Sequence, residues 1–295
     1  MCRLFHLCFD RKALSRRLSL VSCLVAFPVS GATLLLQDGV NGYAGTEDTT
    51  LNSGLPVFNY GGRPYVELTN GGSGVPTRIL MRFDVSTLTG VYSTIDSITL
   101  RLYPTTVPGS AVNVQLYQPV EANGDWVEGT SSGFPVEPGT SSWNKKFQQT
   151  STTGTDWTGG AGLGTTGYGA LLAQTEISNT TTAWQPFDLT ISDSFLATSL
   201  VNDWLTANNE GFLLRLSEEG NAGYYQTSFF DAETSSLNTG GPPDPEALRP
   251  TLIVNYTAAP EPGRFVLLML GAMSLITLRR RGKAAFVCAH GVTDE

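Results

Sequence analysis

Apolar and polar residues alternate with a period of two along most of the middle of the chain. Ile98, Leu100 and Leu102 alternate with Thr99, Arg101 and Tyr103, and Val112, Val114 and Leu116 alternate with Asn113, Gln115 and Tyr117. That period places every second side chain on one face of a strand. Runs at 65–69, 78–83, 211–217, 224–230 and 251–256 also read as strands. Turn-forming clusters such as Asn70, Gly71 and Gly72, or Pro108 and Gly109, separate them. One short helix is predicted, with Asp193 as its cap and Leu196, Leu200, Val201 and Trp204 recurring at spacings of three and four. Many strands and a single helix predict an all-β fold, an antiparallel β-sandwich spanning residues 33–258. Residues 129–170 break the pattern. They are rich in Gly, Ser and Thr with weak periodicity, and predict a long loop that is either functional or mobile.

The two ends follow other rules. A basic stretch through Arg17 precedes an apolar run at 18–29, and Ser30, Gly31 and Ala32 supply small residues at cleavage positions. Residues 1–32 therefore read as a secretory signal peptide, with the mature chain starting at Thr33. Leu20, Val21, Ser22 and Cys23 also suit a lipoprotein acylation site, although the apolar run continues past them.

At the other end Pro260, Glu261 and Pro262 precede an apolar run at 265–278 and then Arg279, Arg280 and Arg281. Fourteen helical residues reach about 21 Å, short of the ~30 Å hydrocarbon core. Such a segment would hold a chain briefly at a bilayer with its arginines on the cytoplasmic side. This arrangement resembles the PEP-CTERM sorting signal of exported bacterial proteins over residues 259–283. The resemblance implies recognition and trimming by an exosortase-type membrane protease. It also implies a destination in the cell envelope, at the cell surface or in the extracellular matrix, with transient membrane anchoring and a tie to exopolysaccharide production. Residues 284–295 form an atypical tail, because the family normally stops soon after its basic cluster.

Charge and reactive side chains sharpen the picture. Residues 33–259 hold 8 basic against 22 acidic side chains, a net charge of −14. A phosphate backbone would meet a repelling surface, so nucleic acid is excluded as a partner. Every Cys and His lies outside this body, at Cys2, Cys8, Cys23, Cys288, His6 and His290. A Ser-His-Asp triad, a thiol nucleophile and an imidazole or thiolate zinc site are thereby excluded from it. No organic cofactor is implied, since no phosphate-binding glycine loop precedes a helix. A carboxylate-pair glycosidase survives this elimination, with Glu218, Glu219 and Glu128 as trial residues, but no motif singles them out.

A second resemblance covers residues 37–257. Asp48, Thr49 and Thr50, then Asn59, Tyr60 and Gly61, then Arg82, Phe83, Asp84 and Val85 look like the opening of the DNRLRE domain. The order continues through residues 97–103, Trp126 to Gly129, Ser142, Trp143 and Asn144, residues 211–215, and Arg249, Pro250, Thr251 and Leu252. The DNRLRE domain is similar to carbohydrate-binding module family 96, which includes alginate binders. The resemblance implies a jelly-roll β-sandwich and an extracellular polysaccharide ligand. The Gly-rich stretch between Trp143 and Trp184 is longer than the family pattern.

Sugar rings pack on aromatic faces beside polar side chains. Trp157 and Tyr168 lie in the Gly-rich stretch, where a core role is least expected; Trp126 and Trp143 are open between core and ligand face. Trp204 belongs to the core side of the helix. Tyr224 and Tyr225 alternate, so one faces outward, and Tyr225 is the candidate. An acidic polysaccharide would need a local basic group such as Arg63, Arg78 and Arg82, or a bridging calcium ion. Oxygen donors for calcium are plentiful. Asp48 near the start of the domain and Asp231 and Glu233 near its end would meet if the first and last strands pair, and Asp38 with Asn41 offers a second loop. The expectation is thus a non-catalytic polysaccharide-binding or matrix-organising protein. Its rivals are a surface adhesion protein without a sugar pocket, and a polysaccharide-degrading enzyme.

Overall fold

The computed structural model describes residues 31–71, 75–135, 137–221, 223–234 and 244–259. Of the expected signal peptide, residues 1–30 lie outside the described residues, whereas Gly31 and Ala32 belong to a strand; the expected sorting motif (Pro260, Glu261, Pro262, Arg279, Arg280, Arg281) and tail also lie outside. Among the described residues no helix is long and apolar enough to cross a membrane.

Two antiparallel sheets stack in an all-β, sandwich-like architecture. The smaller has four strands in the order β1 (Gly31–Leu36), β16 (Thr251–Ala258), β6 (Tyr92–Leu102) and β13 (Phe187–Ile191). The larger begins with β12 (Tyr168–Ile177), β8 (Val112–Pro119), β14 (Phe212–Leu216) and β5 (Thr77–Phe83). It continues through β4 (Val66–Thr69) and β15 (Gln226–Phe229) to an edge at β7 (Pro104–Thr106), and β2 (Thr46–Asn52) also pairs with β5. Two small ribbons complete the set, β3 (Phe58–Asn59) with β9 (Phe134–Pro135), and β10 (Lys145–Gln148) with β11 (Gly154–Asp156).

The alternating residues build the main core. Ile98, Leu100 and Leu102 of β6 and Leu252 and Val254 of β16 face Val112, Val114 and Leu116 of β8 and Leu214 and Leu216 of β14. The predicted helix is present at Ser194–Thr206, and the Asp193 carboxylate accepts a hydrogen bond from Leu196 N–H at 3.0 Å. Its Ala197, Leu200, Val201 and Trp204 enter the same core, and Trp204 meets Phe212 edge-on at 5.1 Å.

Residues 129–170, expected to be a long functional or mobile loop, instead pack Trp157 and Leu163 against the larger sheet. The larger sheet also carries an apolar patch on its outer face, and the chain bearing Trp126, Trp157 and Leu163 covers it. Leu51, Leu80 and Leu213 point outward from β2, β5 and β14 and are buried beneath Trp126, Trp157 and Leu163, with Trp143, Tyr117 and Tyr168 packed against them. Uncovered, that apolar face would lie in water, so burying it favours the irregular cover. Gly162 lets the chain fit closely: it sits at φ +60°, and a Cβ there would stand 2.7 Å from the Trp143 ring. Arg78 fastens the cover to the sheet, donating to the carbonyls of Gly162 and Gly164.

Candidate functional site

Asp48, Asn59 and Glu128 come together at one end of the cover. Asn59 is fully buried, and its amide donates to the carbonyls of Glu128 and Ser141 while its oxygen accepts from Gly61 N–H. This fixes the chain around Glu128, whose Oε1 accepts from Asp48 N–H at 2.8 Å. Asp48 Oδ2 in turn accepts from Ala232 N–H at 2.9 Å, tying β2 to the stretch that follows β15. The Thr234 hydroxyl lies within hydrogen-bond distance of both Asp231 Oδ1 and Pro64 O, its single proton serving one acceptor at a time.

Asp48, Asp231 and Glu233 therefore come together, with one carboxylate oxygen of each within 4.8 Å of the others. They meet by a different route from the expected one. The first and last strands do pair, β1 with β16, but the acids are joined where residues 231–234 meet β2.

Four carboxylates share this region, and burial lifts each above its ordinary value. Asp48 is raised well above it by burial first, then by the charges of Asp231, Glu128 and Glu233. Glu128 is pushed up to about 9 by burial and then by Glu233, against the hydrogen bond from Asp48. Glu233 rises to about 7 through burial and the Asp231 charge, and Asp231 to about 6 through burial, opposed by its hydrogen bonds to Thr234. Among the described residues no ion pair reaches any of the four.

The second predicted loop does other work. Asp38 Oδ1 accepts from Thr46 N–H at 3.0 Å, and Arg249 donates to its carbonyl. Asn41 occupies the left-handed position of an exposed turn at φ 53°. Asp and Asn make turns because their short polar side chains bond nearby backbone.

The aromatic candidates divide. Trp157 is 3% exposed and donates its indole N–H to Ser142 O at 2.8 Å. Trp126 is wholly buried under the Arg82 guanidinium, with its N–H on Glu210 O. Neither offers a ring face to a ligand; both fill the second core, which corrects the expectation for Trp157. Trp143 and Tyr168 are half-buried against the same cluster, and Tyr168 accepts from Arg215 at 2.7 Å. Tyr225 packs against the main core, so the outward ring of that pair is Tyr224, 66% exposed.

Tyr224 lines a cleft of about 210 Å³ with Thr106, Val107, Pro108, Gly109 and Gln226. Trp184 is 39% exposed, and its backbone N–H donates to Pro104 O at the other end of β7. The outward ring is thus Tyr224 and not the Tyr225 expected, and Trp184 is an exposed aromatic that periodicity did not single out. Period two says that two neighbours oppose each other, not which of them faces inward.

The charged groups are equally committed. Arg78 grips Glu219 through two hydrogen bonds at 3.0 and 2.8 Å, and Arg215 reaches the same carboxylate at 3.1 Å. Arg78 and Glu219 are almost fully buried there. Glu219 thus has no free carboxylate for acid-base chemistry, and Arg78 has no free guanidinium for an anionic sugar. Arg82 pairs with Glu47 at 2.5 Å, whereas Arg63 lies over the Tyr60 ring at 4.2 Å.

No family model matches the chain, and no curated protein matches it.

Proposed function

We propose that this protein is an exported, non-catalytic β-sandwich of jelly-roll type that binds or organises polysaccharide at the cell surface or in the matrix. The observation that carries the reading is the edge at β7. Two exposed aromatic rings, Tyr224 and Trp184, flank that strand, and the first stands beside a cleft with amide and hydroxyl groups. Rings of this kind suit the C–H faces of pyranoses, and the neighbouring polar groups suit hydroxyls. The DNRLRE resemblance supports the ligand class, and the PEP-CTERM resemblance supports the exosortase route. Calcium belongs to the reading as a structural or bridging ion.

A second reading is favoured by the outer face of the four-stranded sheet. Thr99 bonds Thr190, Thr33 bonds Asn255, Asn255 bonds Ser97, and Arg101 pairs with Asp188. That ladder of polar side chains suits a structural surface protein without a sugar pocket.

Calorimetric titration of the full-length protein with acidic and neutral polysaccharides, with calcium and then with chelator, separates the two. Saturable binding that Tyr224→Ala or Trp184→Ala weakens by about ten-fold supports the module; stacked aromatic anchors carry much of such affinity. A folded protein that gives no heat across the panel supports the structural reading. New chain ends appearing in the polysaccharide would instead reveal a hydrolase.

A further inference from the structure

We propose that Asp48, Asp231 and Glu233 bind one calcium ion, which clasps β2 to the stretch that follows β15. Two independent observations meet here. The first is geometric: oxygens from the three carboxylates lie within 4.8 Å of one another. Oxygens sharing one Ca²⁺ stand at most about 4.6–5.2 Å apart, twice its ligand distance, whereas Mg²⁺ draws them to about 4.0–4.2 Å. The second is a bare acceptor. Asp231 is 0% exposed, and its Oδ2 is buried without any hydrogen-bond partner. A buried carboxylate oxygen without a donor is costly, and a cation beside it removes that cost.

The surroundings point the same way. Asp48 Oδ2 and Glu128 Oε1 are each fixed by a backbone N–H, so the first ligand is held before any ion arrives. Glu128 adds a fourth carboxyl group next to Asp48, and no basic side chain among the described residues pairs with the group. Glu233 is the exposed member and opens the cluster to solvent, which provides an entry path and leaves room for water ligands. The donor set is oxygen alone, the chemistry of a hard cation.

This site does not depend on the polysaccharide reading, and its test uses no sugar. Chelator-stripped full-length protein would be titrated with calcium chloride and with magnesium chloride in a calorimeter, and its melting temperature followed in parallel. We expect one calcium per chain, weaker magnesium binding, and a melting temperature that rises with calcium. Glu233→Gln changes an exposed side chain and should fold; it is expected to weaken calcium binding by at least about ten-fold, since even the outer-shell partners of metal ligands are worth that much. Asp231→Asn should abolish binding, and Asp96→Asn, an exposed change on the other sheet, should leave it intact. Calcium binding that survives both Glu233→Gln and Asp231→Asn would overturn the site. So would a folded wild-type protein blind to calcium; a Glu233→Gln variant that then melts higher would mark the cluster as a set of shared protons.

Discussion

The eight-stranded sheet buries apolar side chains on both faces, a broad core on one and a patch on the other, and the two are covered in opposite ways. On the inner face, regular strands meet regular strands, with Leu100 and Leu252 opposing Leu116 and Leu214. On the outer face, Leu51, Leu80 and Leu213 lie under irregular chain that carries Trp126, Trp157 and Leu163. The inner cover follows from periodic burial alone. The outer one is held by particular bonds: Arg78 to two carbonyls, the Trp157 indole to Ser142, and Asn59 to Glu128 and Ser141. An apolar sheet face can be sealed without a second sheet, provided that individual polar groups fix the cover in place.

The sharpest way to break the outer layer is Arg78→Ala. It leaves Glu219 buried with only Arg215 beside it and frees the Gly162 and Gly164 carbonyls. Removing one partner of such a pair costs about 3–5 kcal/mol. Urea unfolding should show that loss, and proteolysis of the native protein should begin within residues 129–167. Unchanged stability would mean that the cover is held by packing alone.

The corresponding test of the inner layer is Leu100→Ala, expected to cost about 2–5 kcal/mol through the cavity it leaves. In contrast to Arg78→Ala, it should lower the unfolding midpoint without opening residues 129–167 to protease first. Cover and sandwich coming apart together in both variants would show that the two layers form one cooperative unit.

Glu128 stands where the cover begins, and the acidic cluster gives a pH test of that junction. Unfolded carboxylates titrate near about 4. Asp231, Glu233 and Glu128 titrate in the fold near about 6, 7 and 9. The folded state therefore keeps protons that the unfolded chain releases, and metal-free stability falls as pH rises from about 5 to about 9. Urea midpoints measured in chelator across that range should decline, and calcium should flatten the decline. A rising curve would contradict an uncompensated cluster.

The smallest effect separates local from tertiary stabilisation within the main core. Asp193→Ala removes the hydrogen bond to Leu196 N–H at the helix start, worth about 1 kcal/mol. Because Leu200, Val201 and Trp204 stay buried, the helix should persist by circular dichroism while the midpoint drops slightly.

Much of the inner layer was legible because alternation is a local signal. Strands β6, β8 and β16 and the Asp193-capped helix follow from side chains two, or three and four, residues apart. Strand β2 was not legible in that way. Its sequence is mostly polar, yet Asp48, Thr49 and Thr50 are buried, and Thr50 accepts from Glu67 N–H. The outer layer left only a trace. Ile79, Leu80 and Met81, and Phe212, Leu213 and Leu214, are unbroken apolar runs, which mark strands covered on both sides. Followed through, that trace would have required a cover and supplied a core role for Trp157.

The sequence by itself determined an all-β chain with one Asp-capped helix, a body without His or Cys, and the oxygen-rich chemistry of Asp48, Asp231 and Glu233. Composition and short-range periodicity carry those properties, and they do not depend on what meets what. The tertiary structure alone decided that Trp126 and Trp157 are buried, that Tyr224 rather than Tyr225 faces outward, and that Glu128 joins the acids. Each of those outcomes depends on segments far apart in sequence, as where Ala232 reaches Asp48 across 184 positions. No local pattern encodes such a meeting; it follows from which face of the sheet remained to be covered.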